Sequence, residues 1–196
     1  MAHKAEVTHY GATGTLRIGL GQWQVQRLPD ISSGVWVLAD SGQPKDTIGH
    51  LTRCKDARLG LFHKLGNDWD STGPDLTPDE LVLLEATRTN IMTENKAATS
   101  FETASGKELG ALMLRHHEAL RDGLRLSTDR LEGMRQAAME NGAWGFKVVG
   151  SGGGGCAVAW TSADKARVVA NAMEDAGAVK TFVIRELSKG ASVEES

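Results

Sequence analysis

Apolar positions along this chain follow two different periods. Short continuous apolar runs, bounded by turn residues, predict buried strands at residues 35–39, 146–149, 156–160 and 179–184. Between the first two runs, apolar residues recur every three or four positions, which predicts a layer of helices. The combination indicates an α+β fold, with an antiparallel sheet of about four strands and helices on one face.

Local signals mark where the predicted helices begin. Thr77 is a predicted N-cap followed by Pro78, Thr128 is a second cap, and Asp46 or Thr47 can cap an earlier helix. Thr161 or Ser162 is the cap expected for the last helix, which Gly177 ends. The predicted inward faces, in chain order, are Ile48, Leu51 and Leu59; Leu81, Leu84 and Ile91; Leu109, Leu112, Met113, His116 and Leu120; Leu131, Met134 and Ala138; and Ala166, Val169, Ala170 and Met173.

The chain divides into three predicted parts. Residues 1–34 contain short strands broken by glycines, at residues 7–10 and 22–26. Residues 35–187 form the main domain, and residues 188–196 form a polar tail.

A glycine-rich run separates two of the predicted strands. Glycine permits a positive φ and brings backbone N–H groups close to a neighbour, so the run suits either a phosphate-proximal loop or a structural turn. A dinucleotide-binding loop is disfavoured, because a strand and not a helix follows the Gly-x-Gly-x-x-Gly spacing. The run consists of Gly150, Ser151, Gly152, Gly153, Gly154 and Gly155.

Composition excludes several classes of protein. The net charge of −3 over 196 residues gives no basic footprint for nucleic acid, and no stretch is apolar enough to span a membrane. Cys54 and Cys156 are the only cysteines, so neither a disulfide framework nor zinc-type spacing exists. We therefore expect a cytoplasmic protein without a metal site of its own.

Several motifs arrive in order along residues 35–187. They are His116-His117-Glu118-Ala119-Leu120-Arg121-Asp122, then Ser127 and a helix containing Leu131, and then Gly142-Ala143-Trp144-Gly145-Phe146-Lys147 leading into the glycine run and Cys156. This series resembles the C-terminal half of the GHMP small-molecule kinases, especially the galactokinases and related sugar kinases. The segment Asp40-Ser41-Gly42, with Lys45, Asp46 and Thr47, is also similar to galactokinase-like members.

The resemblance implies a ferredoxin-like C-terminal domain of a two-domain kinase that uses ATP and Mg²⁺. In that family the glycine loop abuts a phosphate loop of sequence Gly-Leu-Ser-Ser-Ser in the N-terminal domain, which also carries an Asp that acts as the base. By the same resemblance, Ser41, Lys45 and His50 are candidate substrate-facing residues.

The chain departs from this pattern at its N-terminal end. It contains no Gly-Leu-Ser-Ser-Ser, and residues 11–17 hold no acidic side chain at the expected position of the base. We therefore predict a truncated kinase that has no catalytic residue, binds no ATP or Mg²⁺ on its own and is inactive alone. Its expected partners are a missing N-terminal half with a sugar substrate, or a second copy in a homodimer.

A second function class is also open. A relic of the same fold can serve as a non-catalytic module for binding or dimerisation. Under either hypothesis the truncation would leave four apolar residues without their cover, and a second copy could bury them: Leu16, Ile18, Trp23 and Val25.

Overall fold

The computed structural model describes residues 16–19, 24–27, 34–45, 47–66 and 75–185. At the N-terminal end, strands β1 (Leu16–Gly19) and β2 (Gln24–Arg27) form an antiparallel pair. The strand predicted at residues 7–10, the tail at 188–196 and the predicted exposure of apolar side chains at residues 16–25 lie outside what is described.

The main sheet has four strands, in the spatial order β4-β5-β3-β6. They are β3 (Val35–Asp40), β4 (Ala143–Val148), β5 (Cys156–Thr161) and β6 (Lys180–Ile184). Every pairing in this sheet is antiparallel. The prediction of an α+β fold with about four antiparallel strands is therefore confirmed, and the βαββαβ order along the chain is that of a ferredoxin-like unit.

One face of the sheet holds the core. Val37 and Ala39 of β3 are fully buried there, because helices α4 (Asp129–Glu140) and α5 (Ala166–Asp175) cover this face. The predicted inward residues of these two helices are all buried: Leu131, Met134, Ala138, Ala166, Val169, Ala170 and Met173. These stripes were predictable because each helix rests on a single surface.

Three further helices precede β4. They are α1 (Thr47–Leu65), α2 (Pro78–Ser100) and α3 (Gly106–Leu124). Helix α3 packs on the edge strand β4, and α2 packs on α3. Capping boxes begin both α2 and α3, with Thr77 paired to Glu80 and Ser105 to Glu108, and each satisfies backbone donors of a first turn. None of the described helices is long and apolar enough to cross a bilayer.

Two of the predicted inward faces are wrong. In α2, Leu84 is buried with Leu83, whereas Leu81 and Ile91 are exposed, because α2 packs mainly on α3 and turns a different stripe inward. In α1, the inward positions are Cys54 and Leu61. The apolar residues predicted for that face are exposed, namely Ile48, Leu51 and Leu59.

The expected cap of the last helix is also wrong. Thr161 belongs to β5, and α5 begins after Lys165, which provides no side-chain cap. Ser162 instead accepts the backbone N–H of Lys165 through its carbonyl, in the turn that precedes the helix. Gly177 has a φ of +107°, consistent with its predicted role at the end of α5.

Candidate functional site

The glycine run forms the tight connection between β4 and β5. Gly152 has a φ of +68° and Gly153 a φ of +71°, values that side-chain-bearing residues rarely adopt. A Cβ on Gly152 would collide with the carbonyl oxygen of Leu126, and one on Gly153 would collide with the ring of His50. Backbone conformation and close packing therefore both require glycine at these two positions.

The segment that follows β3 lies directly against this loop. Ser41 N–H donates to the carbonyl of Gly155 at 2.9 Å, and Gly155 N–H donates to the carbonyl of Gln43 at 3.0 Å. Lys45 Nζ donates to the carbonyl of Val149 at 2.9 Å. Residues predicted separately from two distant parts of the chain thus meet at one end of the sheet.

His50 and Lys45 border the loop in different ways. His50 packs on Gly153, and its Nδ1 is buried without a hydrogen-bond partner among the described residues. A Cβ on Gly150 would lie 3.8 Å from Lys45 Nζ, so the ammonium group is beside the first glycine of the loop. Ser41 is fully buried, and its hydroxyl accepts the N–H of Gln43 at 3.2 Å.

The start of α4 forms the third wall of the site. Gly153 N–H donates to the carbonyl of Leu126 at 2.8 Å. Thr128 Oγ1 donates to Gln43 Oε1 at 2.6 Å, and Arg130 Nη1 donates to the carbonyl of Ser41 at 2.9 Å. The loop, the segment after β3 and the N-terminus of α4 therefore form one hydrogen-bonded unit.

A carboxylate that the sequence analysis did not single out stabilises this wall. Glu132 Oε1 accepts the hydroxyl of Ser127 at 2.6 Å and lies 2.9 Å from His117 Nε2. Its Oε2 accepts Arg135 Nε at 2.6 Å and Arg121 Nη1 at 3.3 Å. Burial acts to raise the pKa of Glu132, but the hydrogen bonds from His117, Ser127 and Arg135 outweigh it and hold that pKa well below its usual range.

The placement of His116 on the inward face of α3 is wrong by one residue. His117 is the fully buried histidine, and its ring meets Phe146 edge-on at 5.2 Å. His116 is half-buried on the neighbouring side of α3. Glu132 lies in the first turn of α4, where its carboxylate can reach the preceding helix α3. The sequence contains this carboxylate, but only the tertiary structure shows that it pairs with His117.

Only part of the glycine loop is available to an anion. The N–H groups of Gly153 and Gly155 are used inside the protein, which favours a structural role for that half of the loop. Gly150 and Ser151 lie at the outer half, where Ser151 Oγ is 3.4 Å from Thr47 Oγ1 and Lys45 supplies positive charge. This outer half has the donors and the charge to face a phosphate group.

Comparison with known proteins identifies the domain. Residues 97–179 match the family model described as GHMP kinases C terminal. Residues 97–179 are therefore similar to a GHMP kinase C-terminal domain, as the resemblance implied.

Curated relatives are similar to this chain over a limited part of their length. A galactokinase of Mycobacterium tuberculosis is 31% identical over 91 residues, which are 44% of this chain and 25% of that protein. A mevalonate kinase of Pyrococcus furiosus is 42% identical over 90 residues, 45% of this chain and 26% of that protein. The matched regions thus span about a quarter of each relative.

Solved structures share the fold over most of the chain. Lactococcus lactis galactokinase, complexed with galactose, superposes with a TM-score of 0.74 and 15% identity, covering 90% of this chain and 51% of that one. The L. major mevalonate kinase in complex with R-mevalonate gives a TM-score of 0.62 and 18% identity, covering 87% of this chain and 48% of that one. The chain therefore shares its fold with about half of each of these kinases.

Proposed function

We propose that this chain is the C-terminal domain of an ATP-dependent, galactokinase-like kinase that transfers a phosphoryl group to a sugar hydroxyl. The observation that carries the proposal is the meeting of the glycine loop with the segment after β3, where Lys45 lies beside Gly150. Phosphoryl transfer depends mainly on positioning and charge stabilisation, which a rigid loop with an adjacent cation can contribute. Galactokinases are named among both the curated and the structural relatives.

Two observations favour placing ATP and Mg²⁺ outside the described residues. Two amides of the loop are satisfied internally, and within the described ranges no group of three or more His, Cys, Asp or Glu side chains could hold a metal ion. We therefore assign the nucleotide and its Mg²⁺ to an N-terminal half with a Gly-Leu-Ser-Ser-Ser loop, and no step of the reaction to this chain alone.

The three candidate substrate-facing residues then have different roles. Ser41 is buried and supports the turn after β3, so it acts through the backbone it holds. Lys45 and His50 are only partly buried at the border of the loop. We assign to these two the contact with substrate or phosphate in an assembled kinase. A cytoplasmic location belongs to the same proposal, and the free thiols Cys54 and Cys156 fit it.

The test is ADP release that depends on both ATP and sugar. The chain is assayed alone, and then with the polypeptide of its own genome that carries Gly-Leu-Ser-Ser-Ser, encoded in frame upstream or nearby. We expect activity from the combination and none from this chain alone. A genome without such a polypeptide, or an inactive combination, would favour the alternative of a non-catalytic binding or dimerisation module.

A pair of lysine variants connects the activity to the site. Lys45→Met removes the ammonium beside Gly150, and we expect kcat/KM to fall about tenfold or more, because a charge-assisted contact is lost. Lys55→Met, at an exposed position of α1, is the matched control and should leave kcat/KM unchanged. Equal activities of the two variants would remove Lys45 from the site.

A further inference from the structure

A second concave site lies apart from the glycine loop. It is a cavity of about 340 Å³ between the α2–α3 pair and the sheet face opposite α4 and α5. The strand register places Trp36 opposite Trp160 and Lys147 opposite Val158, on the face that alternates with the buried Val37. Neither the glycine loop nor the segment at residues 41–50 contributes to its lining.

The walls of this cavity are mostly apolar and aromatic. Trp36 and Trp160 meet with ring centroids 4.3 Å apart at an interplanar angle of 43°. Trp160 is fixed in place, because its Nε1 donates to the carbonyl of Gly106 at 3.0 Å and its side chain is buried. Leu112 and Met113 of α3 contribute aliphatic surface. A preformed pocket of this size and character is typical of small-molecule sites.

Basic groups form the polar end of the cavity. Lys147 Nζ lies 3.4 Å from the carbonyl of Val148, at the outer limit of a hydrogen bond, and the ammonium group makes no other hydrogen bond within the described residues. Burial lowers the pKa of Lys147, against the smaller opposing influence of Glu94. His116 also lines the cavity, and burial, followed by the charges of Lys147 and Arg58, lowers its pKa to about 4.

Lys147 and Glu94 are the charged groups that line the cavity, but no ion pair joins them among the described residues. Glu94 is an exposed carboxylate on the rim, whereas the lysine is held in a largely apolar environment. A buried ammonium group gains most from an anion that makes a short, charge-assisted hydrogen bond with it. An anionic group attached to an apolar body would satisfy the lysine and the walls together.

We propose that this cavity binds a small anion that has an aromatic body. The body lies beside Trp36 and Met113, and a carboxylate or phosphate group accepts a hydrogen bond from Lys147 Nζ. The site is independent of the glycine loop, so it does not rest on the kinase assignment. It would make this domain a receptor for a second ligand in addition to any substrate.

The test is calorimetric titration of the full chain with naphthalene-2-carboxylate. We expect saturable binding that weakens at least tenfold in Lys147→Met, because the variant keeps the side-chain length and loses the charge-assisted bond. The neutral 2-naphthol should bind both proteins equally. Lys107→Met, at an exposed position of α3 outside the cavity, is the matched control and should bind the carboxylate as the unaltered chain does. A parallel titration with 2-naphthyl phosphate shows which anionic group is preferred.

NMR can locate the bound ligand in the unaltered chain, which provides a second readout that needs no variant. On addition of naphthalene-2-carboxylate, the amide NMR signals of Ala97, Leu112 and Val158 should shift, while those of residues 150–155 stay in place. No saturable binding, equal binding to Lys147→Met, or shifts confined to the glycine loop would overturn the proposal. If Lys147→Met does not fold, the NMR localisation decides the outcome.

Discussion

The crossing of α3 and β4 leaves no room for a methyl group. A Cβ on Gly110 would lie 2.5 Å from the carbonyl oxygen of Trp144 and 2.6 Å from its carbonyl carbon. Both are backbone atoms, so no side-chain rotation can relieve the overlap. Gly110→Ala therefore forces helix and strand apart by nearly 1 Å, given an ordinary contact of about 3.5 Å.

The size of the effect is the difference between two terms. Alanine favours a helix over glycine by about 0.8–1.0 kcal/mol, whereas overpacking costs about 1–3 kcal/mol and more when backbone must move. We expect Gly110→Ala to lower the free energy of unfolding by about 2 kcal/mol, which lowers Tm by about 4–8 °C for a chain of this length.

The chain provides a matched control for this substitution in α4. A Cβ on Gly133 would meet only the carbonyl oxygen of Ala176, at 3.9 Å. Gly133→Ala gains the same helix propensity without the overlap and should raise the free energy of unfolding by up to about 1 kcal/mol. Both variants are measured by urea and thermal unfolding, followed by circular dichroism. A Gly110→Ala variant as stable as Gly133→Ala would refute the packing argument.

Three further outcomes are expected. Glu132→Gln should lower the free energy of unfolding at pH 7 by about 1–3 kcal/mol. Because folding lowers the pKa of Glu132 from 4.5, the stability that its carboxylate supplies is present above pH 4.5 and is lost as the pH falls below that value. Urea unfolding of both proteins at pH 7 and pH 3 measures this, and an acid dependence that the substitution leaves unchanged would contradict it. His116→Met should reduce the loss of stability as the pH falls from 6.5 to about 4, because the folded chain disfavours the imidazolium form of His116 in that range. Urea unfolding at several pH values across this range measures the effect, and a pH dependence of the free energy of unfolding that the substitution leaves unchanged would count against it. The chain alone should form dimers that deletion of residues 1–28 converts to monomers, so monomers by light scattering in both cases would exclude this mode of association.

The sheet and the helices that cover it could be predicted from local pattern. The buried residues of α4 and α5 follow a 3.6-residue period because each helix packs on one face of the sheet. The four strands are short apolar runs between turns. Helix α2 is different, because its partner is another helix that no local signal locates. Its buried Leu83 and exposed Leu81 lie two positions apart in a run of apolar residues, and only the position of α3 distinguishes them.

In the candidate site, too, some residues could be predicted from the sequence and others depend on tertiary contacts. The glycine loop was visible in the sequence, and so were Lys45 and His50 through the resemblance. Glu132 was not, because its role depends on bringing His117 and Ser127 together from an adjacent helix and a turn. The packing of Gly153 on His50 likewise explains a glycine that sequence alone left open between a phosphate-facing and a structural role.

The position of the loop relative to ATP is the central question. An ATP analogue with a photoreactive group on its γ-phosphate can be applied to the chain combined with the polypeptide that carries Gly-Leu-Ser-Ser-Ser. We predict that mass spectrometry finds the label within residues 150–155, and that excess ATP prevents labelling. A combination that phosphorylates sugar while residues 150–155 remain unlabelled would contradict the assignment of the loop to the phosphate site.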